Sequence, residues 1–236
     1  MKRFLYFIFL VYNFSTGQEL FDKISVDICN CFEENEDLNR KNFDIKFFDI
    51  CHDLSMKKYK PELELLLYKD VDSTSSEYTY EHVNKLGYEL GKRMFNKILE
   101  PMINNCDAYY TYFSKAREIM LINLGKGITE QKVDSLTNLI EKSYWKTNLL
   151  FQRGAYELGL GNVSKAKSDL VSCLEKNPIH IHAMFFLAMA HELEEDYKSA
   201  IPLYEEIIDQ NQNQNPLTNL AKIYLTITKR RLKENK

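Results

Sequence analysis

The side chains that could support catalysis are histidines and acids in the last third of the chain. His180 and His182 flank Ile181, and residues two apart diverge on a helix, so they make a poor metal pair. His191 precedes an acidic run, 192–196, which is typical of a solvated edge. No glycine-rich phosphate loop, Gly-x-Ser-x-Gly or His-Glu-x-x-His sequence is present. The sequence therefore predicts no catalytic residues, no metal site and no cofactor; an enzyme would need a site assembled from distant segments.

Cysteine is the other reactive residue type. The five cysteines are Cys29, Cys31, Cys51, Cys106 and Cys173. On a helix Cys29 and Cys31 would lie about 200° apart, so they should take different partners. Four cysteines allow three pairings, and the one that joins Cys29 to Cys31 is disfavoured. Two pairings stay open, each joining one of these residues to Cys51 and the other to Cys106, with Cys173 as a buried free thiol.

A metal site is the alternative interpretation of the same cysteines. Cys-x-Cys with the distant pair Cys51-His52 could supply ligands, but the spacing is not that of a structural zinc site. Redox catalysis would favour Cys-x-x-Cys, which is absent. Disulfides are the simpler expectation in an exported chain.

The first 17 residues have the order of a secretory signal peptide. A basic start, Lys2-Arg3, precedes the apolar run 4–14, and small residues follow at Ser15 and Gly17. The run is shorter than the ~20 apolar residues that a spanning helix needs. We expect cleavage after Gly17, a mature start at Gln18, and a periplasmic or secreted protein. The alternative is an amino-terminal helix packed in the core.

Composition and charge bear on the partner and on the fold class. The chain has 236 residues and a formal net charge of -3, which becomes more negative without the leader. No basic stripe with interleaved aromatic residues is present, so nucleic acid is not an expected partner. No later run is apolar enough to span a membrane. Proline and glycine are scarce and no alternating pattern persists, so the fold class is all-α.

Helical periodicity divides the mature chain into three regions. Residues 18–107 form a cysteine-bearing helical region, and 108–146 form a degenerate repeat-like hairpin. In the first region, Gly87 and Gly91 lie one turn apart and should let another helix approach closely. Pro101 should kink or restart that helix. Trp145 is expected to fill a seam before the third region, 147–236.

The third region carries an internal repeat. Three pairs of equivalent residues lie 34 positions apart: Leu150 and Met184, Gly154 and Ala188, Ala166 and Ala200. A bulky residue lies four positions after Ala166 and after Ala200: Leu170 and Tyr204. A third copy starts at Leu217 with Ala221 and Tyr224, then runs polar to the end. Small residues at this period are typical of stacked helical hairpins.

This pattern resembles the tetratricopeptide repeat family. The resemblance implies antiparallel hairpins in a right-handed solenoid, closed by a capping helix, with the amino-terminal helical region packed on it. Arg153 and Glu157 depart from the family pattern, which has leucine and tyrosine there. A chance spacing in an ordinary helical bundle is the alternative.

The resemblance also implies a binding surface on the first helix of each repeat. Carried over by position, that surface comprises Asn148, Phe151, Gln152, Ala155, His182, Phe185, Phe186, Met189, Glu192, Thr218, Asn219 and Lys222. Phe185, Phe186 and Met189 could grip apolar side chains of a helix or extended segment. The alternative is that some of them are buried against the amino-terminal region.

The Cys-x-Cys start, the later single cysteines and Leu86-Gly87-Tyr88-Glu89-Leu90-Gly91-Lys92 resemble exported proteins of Bacteroidetes-type bacteria with a cysteine-bearing helical region. This resemblance implies a cell-envelope setting and no activity. We therefore expect a non-enzymatic module that binds protein or peptide. The alternative is a structural envelope scaffold that associates with itself, for example as a homodimer.

Overall fold

The computed structural model describes residues 2–35, 45–68, 79–210 and 216–235, with side chains from residue 17 onward except at residue 45. This part of the chain is all-α, as expected, and contains eleven helices. They are α1 (Lys2–Glu34), α2 (Ile45–Lys58), α3 (Lys60–Tyr68), α4 (Tyr80–Asn105), α5 (Asp107–Gly125), α6 (Glu130–Lys142), α7 (Thr147–Gly159), α8 (Val163–Lys176), α9 (Ile181–Leu193), α10 (Tyr197–Gln210) and α11 (Pro216–Glu234).

The chain divides into two compact units, residues 1–112 and 113–236. The boundary falls within α5. Residues of the expected leader are helical in their backbone from Lys2, while their side chains up to Thr16 lie outside the described part. Within the described residues, no helix has both the length and the apolar character needed to cross a bilayer.

The first unit is built around one stripe of α1. Ile24, Ile28 and Phe32 recur every four residues and are fully buried, because that spacing keeps them on one face of the helix. The Phe32 ring lies 5.1 Å from Phe47 of α2 and 5.0 Å from Tyr109 of α5. Edge-on aromatic contacts of this kind join α1 to its neighbours.

Two disulfides fasten the same helix on both sides. Cys29 is bonded to Cys106, between α4 and α5, with 5.8 Å between the Cα atoms. Cys31 is bonded to Cys51 of α2, with 5.6 Å between the Cα atoms. This is one of the two pairings that the sequence left open, and Cys173 is free and buried as expected.

Helix α4 corrects one expectation, the close approach at Gly87 and Gly91, and shows no restart at Pro101. A Cβ added at Gly87 or Gly91 would meet nothing within 4 Å, so no described element approaches either glycine closely. Pro101 lies inside α4, which continues to Asn105. Thr79 precedes the helix and caps it: its hydroxyl accepts the His82 backbone N–H at 3.2 Å, which would otherwise have no partner within the helix.

The second unit is a stack of consecutive helices. Each helix from α6 to α11 packs against the next one, and α9 also contacts both α7 and α11. The small residues predicted at the helix contacts are buried: Ala166, Ala188, Ala200 and Ala221 have no exposed surface. Around them, Leu150, Leu170 and Leu187 form part of one apolar core. This packing is that of an all-α, repeat-like solenoid.

The turns of successive hairpins share the 34-residue period. Gly127, Gly161 and Glu195 have φ values of 75°, 80° and 58°. These positions follow α5, α7 and α9 and are 34 residues apart. Left-handed backbone is the ordinary place for glycine, so Glu195 adopts a conformation that costs an L-residue roughly 1–2 kcal/mol.

Candidate functional site

The structure separates the twelve expected binding residues into an exposed group and a buried group. Asn148, Gln152, His182 and Asn219 are exposed; Phe151, Phe186 and Lys222 are half-buried; Ala155, Phe185, Met189, Glu192 and Thr218 are buried. The surface carried over by position is therefore not one continuous open face.

The expectation that Phe185 and Met189 are open to a partner is wrong. Phe185 is only 2 % exposed, and its ring lies 5.8 Å from Tyr204 of α10 and 5.6 Å from Tyr224 of α11. Met189 is buried as well. Most residues of α9 are buried, and all of these except Glu192 are apolar. A helix that is apolar around most of its circumference is buried by its neighbours. Here the cover comes from the second unit itself.

Glu192 is the centre of a buried polar cluster instead of a solvated edge. Its Oε2 pairs with Nη1 of Arg117 from α5, and Nη1 of Arg231 from α11 lies 3.7 Å away. The Tyr204 hydroxyl donates to Oε1 at 2.7 Å. The Nε atom of Arg117 is buried without a hydrogen-bond partner. A single carboxylate therefore joins side chains of α5, α10 and α11 around α9.

The two phenols of this cluster are weak acids. Burial, followed by the neighbouring Glu192 carboxylate, raises the pKa of Tyr204 well above its ordinary value. Burial also raises the pKa of Tyr224 to about 12. Both phenols therefore keep their protons at neutral pH, and the geometry supports a structural role.

Arg153 and Glu157, the two departures from the family pattern, have partners on neighbouring elements. Arg153 donates to both carboxylate oxygens of Asp169 on α8, at 2.7 Å and 2.6 Å, and to the Thr137 hydroxyl of α6. Glu157 is buried and accepts from the Asn162 side chain at 2.7 Å. Polar bonds here hold α6, α7 and α8 where leucine and tyrosine would pack.

Three of the expected binding residues, Phe151, His182 and Phe186, cluster with His180 in a partly exposed group of four rings, which we call the aromatic patch. The Phe151 centroid lies 4.9 Å from His180, 6.1 Å from His182 and 5.8 Å from Phe186. The two phenylalanines also pack against the apolar core, which fixes their positions. The rings of Phe151 and Phe186 are therefore fixed in place beside the exposed imidazole of His182.

The two histidines of the aromatic patch have different roles. His180 Nδ1 accepts the Ala183 backbone N–H at 3.1 Å, so this ring caps the start of α9. Burial lowers the pKa of His180, which favours the neutral form that can accept this bond. His182 is exposed and free of that constraint. With one ring nitrogen of His180 engaged in capping, the pair makes a poor metal site.

Two exposed polar residues of α7 lie beside the aromatic patch. Asn148 and Gln152 are one turn apart, on the same side of Phe151. The Gln152 amide donates to the Tyr156 hydroxyl at 3.0 Å. Asn219 and Lys222 lie on α11, and the structure does not place them in the patch.

Trp145 lies elsewhere than expected, and two buried arginines were not predicted. Trp145 was expected to fill a seam, but it is 82 % exposed and stacks edge-on with Tyr144, which is 89 % exposed. The Ser143 hydroxyl accepts the Trp145 backbone N–H at 3.1 Å and so orders this turn. Arg117 and Arg231 gave no local signal, because the partner that buries them lies far away in the sequence.

One group of metal-ligand atoms occurs among the described residues. Sγ of Cys29, Sγ of Cys106 and a carboxylate oxygen of Glu33 lie within 4.8 Å of one another. Both sulfurs belong to one disulfide, so neither is a thiolate that could bind a metal ion. The group is therefore not a metal centre in this state.

No family model, curated protein or solved structure matches the chain.

Proposed function

We propose that the chain is a non-enzymatic module that binds a protein or peptide segment through the aromatic patch. Support comes from the stack of short helices and from the half-buried rings of Phe151 and Phe186, which lie together on successive first helices of the repeat. Rigid aromatic side chains at such positions suit an apolar anchor from another chain. We assign the stack to the tetratricopeptide type on the basis of its 34-residue period.

We further propose that the protein acts after export, in the periplasm or outside the cell. The first 17 residues supply the leader pattern. The bonds Cys29–Cys106 and Cys31–Cys51 support the same setting, because disulfides persist in oxidising compartments. Neither observation depends on the other.

A displayed library of random peptides tests the binding proposal. The exported protein should enrich a family of sequences with an apolar anchor. Phe186→Ala should weaken the affinity for these peptides by about tenfold or more, roughly 1.4 kcal/mol. Val171→Ala is the matched control, because Val171 is also apolar and half exposed but lies on α8, outside the patch. Equal binding by wild type and Phe186→Ala would overturn the assignment of the patch.

A self-associating scaffold is the second candidate, favoured by the exposed Tyr144–Trp145 pair. Light scattering across a range of concentrations separates the two. A monomer that binds peptide supports the module. A dimer that Trp145→Ala dissociates supports the scaffold.

A further inference from the structure

Gln18 is the residue that cleavage of the proposed leader would expose. We propose that Gln18 is a modification site: once the leader is removed, it closes into pyroglutamate and blocks the amino terminus of the mature chain. This inference rests on the proposed export and adds a covalent change to it.

The reaction needs only atoms that Gln18 already holds. Cleavage after Gly17 creates an α-amino group, whose nitrogen attacks the side-chain amide carbon, Cδ, of the same residue. The new bond is a lactam C–N bond, the broken bond joins Cδ to Nε2, and Nε2 leaves as ammonia after taking a proton from the α-nitrogen. No oxidant or reductant takes part. An α-amino group has a pKa of roughly 7.7–8.0, so a sizeable fraction is unprotonated at neutral pH.

The local structure leaves Gln18 free to react. Its side chain is exposed, and its Nε2 donates to Asp22 at 2.9 Å, one turn along α1. Gln18 also lines a polar cavity beside Asn96 and Asn104 of α4, which leaves space for the ring to form. Once the leader is removed, cyclisation breaks the exposed bond to Asp22.

The residues after Gln18 are fixed, so the reactive end is short. Leu20 and Phe21 are buried in the first unit and anchor the helix two residues further on. After cleavage Gln18 begins the remaining helix, 18–34, where the backbone N–H groups of the first turn have no partner within the helix. An unpaired first residue samples the conformations that bring its amine to Cδ. Ring closure within one residue also benefits from the high effective concentration of the two groups.

Cyclisation changes the charge at this helix end. A terminal ammonium opposes the positive end of the helix dipole, and the lactam is neutral. The modified chain also lacks the free amine that aminopeptidases recognise. Pyroglutamate would therefore give the exported protein a neutral, protected start.

Mass spectrometry of the full chain, expressed in a host that exports it, tests this inference. The purified protein is incubated for several days at neutral pH, and its intact mass and first peptide are determined. We expect a chain that starts at residue 18 and is lighter by one ammonia. Treatment with pyroglutamyl aminopeptidase should then remove exactly that residue. Gln18→Ala is the matched control, since its side chain has no amide that could lose ammonia; its mass should stay unchanged.

The outcomes separate this inference from the proposed export. A wild-type chain that starts at Gln18 and shows no loss of ammonia in its mass overturns the modification but not the proposed export. A chain that still starts at Met1 overturns the leader, and the modification with it. A mature start at any other residue overturns the modification, because Gln18 is then not terminal.

Discussion

At the residue scale, Phe185 is the side chain whose role the structure changes most. It joins α9 to α10 and α11 through Tyr204 and Tyr224. We expect Phe185→Ala to lower the free energy of unfolding by ~3–5 kcal/mol, as much as Leu187→Ala, because both truncations empty buried space. Urea unfolding of the two variants measures this. If Phe185→Ala lowered the free energy of unfolding by less than about 1 kcal/mol, Phe185 would not be a core residue.

His52 should make the protein sensitive to acid. Burial lowers the pKa of His52 to about 4 from 6.5, although the nearby carboxylates of Asp49 and Asp53 oppose the change. Between these values the unfolded chain binds a proton that the folded protein does not, so stability falls as the pH falls from 6.5 towards 4. The loss attributable to His52 is about 3 kcal/mol at the acid end.

The variant His52→Gln should therefore lose less stability across that pH window than the wild type. Urea midpoints measured at a series of pH values give the comparison. His182→Gln, which removes an exposed histidine, is the control and should follow the wild-type curve. If the urea midpoints of His52→Gln and wild type changed in parallel with pH, His52 would not be the source of the acid sensitivity.

The sequence predicts single residues well where their neighbours are local. The divergence of Cys29 and Cys31 follows from helical geometry, and it limited the disulfides to two pairings. Glu192 could not be placed in this way, because its burial depends on Arg117, which is 75 residues away. Whether Phe185 faces a groove or a core depends likewise on how α10 and α11 cover α9. Side-chain contacts over such separations are set by the assembled fold.

At the scale of helices, two glycines in helix interiors should respond in opposite ways to the same substitution. Gly154→Ala places a Cβ 2.9 Å from Leu170 Cγ and 3.2 Å from the Ala166 carbonyl oxygen, so α7 and α8 must separate. We expect a loss of ~1–3 kcal/mol. Gly87→Ala meets nothing within 4 Å and should stabilise α4 by ~0.5–1 kcal/mol through helix propensity. The melting temperature of each variant, compared with that of the wild type, tests this. Shifts in the same direction for both variants would contradict the packing described for the two glycines.

Helix positions were more predictable than helix contacts. Apolar stripes and small residues at a fixed period indicate helices and hairpins, and the buried alanines agree with them. Among the described residues, no helix lies against Gly87 or Gly91, whose spacing suggested a close approach, while α8 lies against Gly154. A glycine in a helix signals a close approach only when another element is opposite, and the sequence does not contain that information.

At the scale of the whole molecule, the two disulfides should contribute unequally. Cys29–Cys106 closes a separation of 77 residues and Cys31–Cys51 one of 20. Loop-closure entropy predicts ~4 kcal/mol for the longer loop and ~3 kcal/mol for the shorter. Replacing both cysteines of each bond by serine, followed by urea unfolding, compares them, and Cys29→Ser with Cys106→Ser should cost more.

A count of thiols is the control for that comparison. Denatured, unreduced wild type should show one reactive thiol, Cys173, and each double variant should show the same number. Extra thiols would mean that the remaining bond had not formed. Equal stability losses with a correct thiol count would contradict the loop-length argument.

The disulfides are nested: the bond from Cys31 to Cys51 lies inside the loop closed by Cys29 and Cys106. A chain that enters an oxidising compartment from its amino terminus presents Cys29, Cys31 and Cys51 long before Cys106. Cys51 then has two candidate partners, Cys29 and Cys31, only two residues apart. If it bonds Cys29, Cys31 is left without its partner. A chain in which Cys51 bonds Cys29 first must reach the native pattern by thiol–disulfide exchange, in which the Cys31 thiolate attacks the mispaired bond. Cells that lack a disulfide isomerase should accumulate the mispaired form.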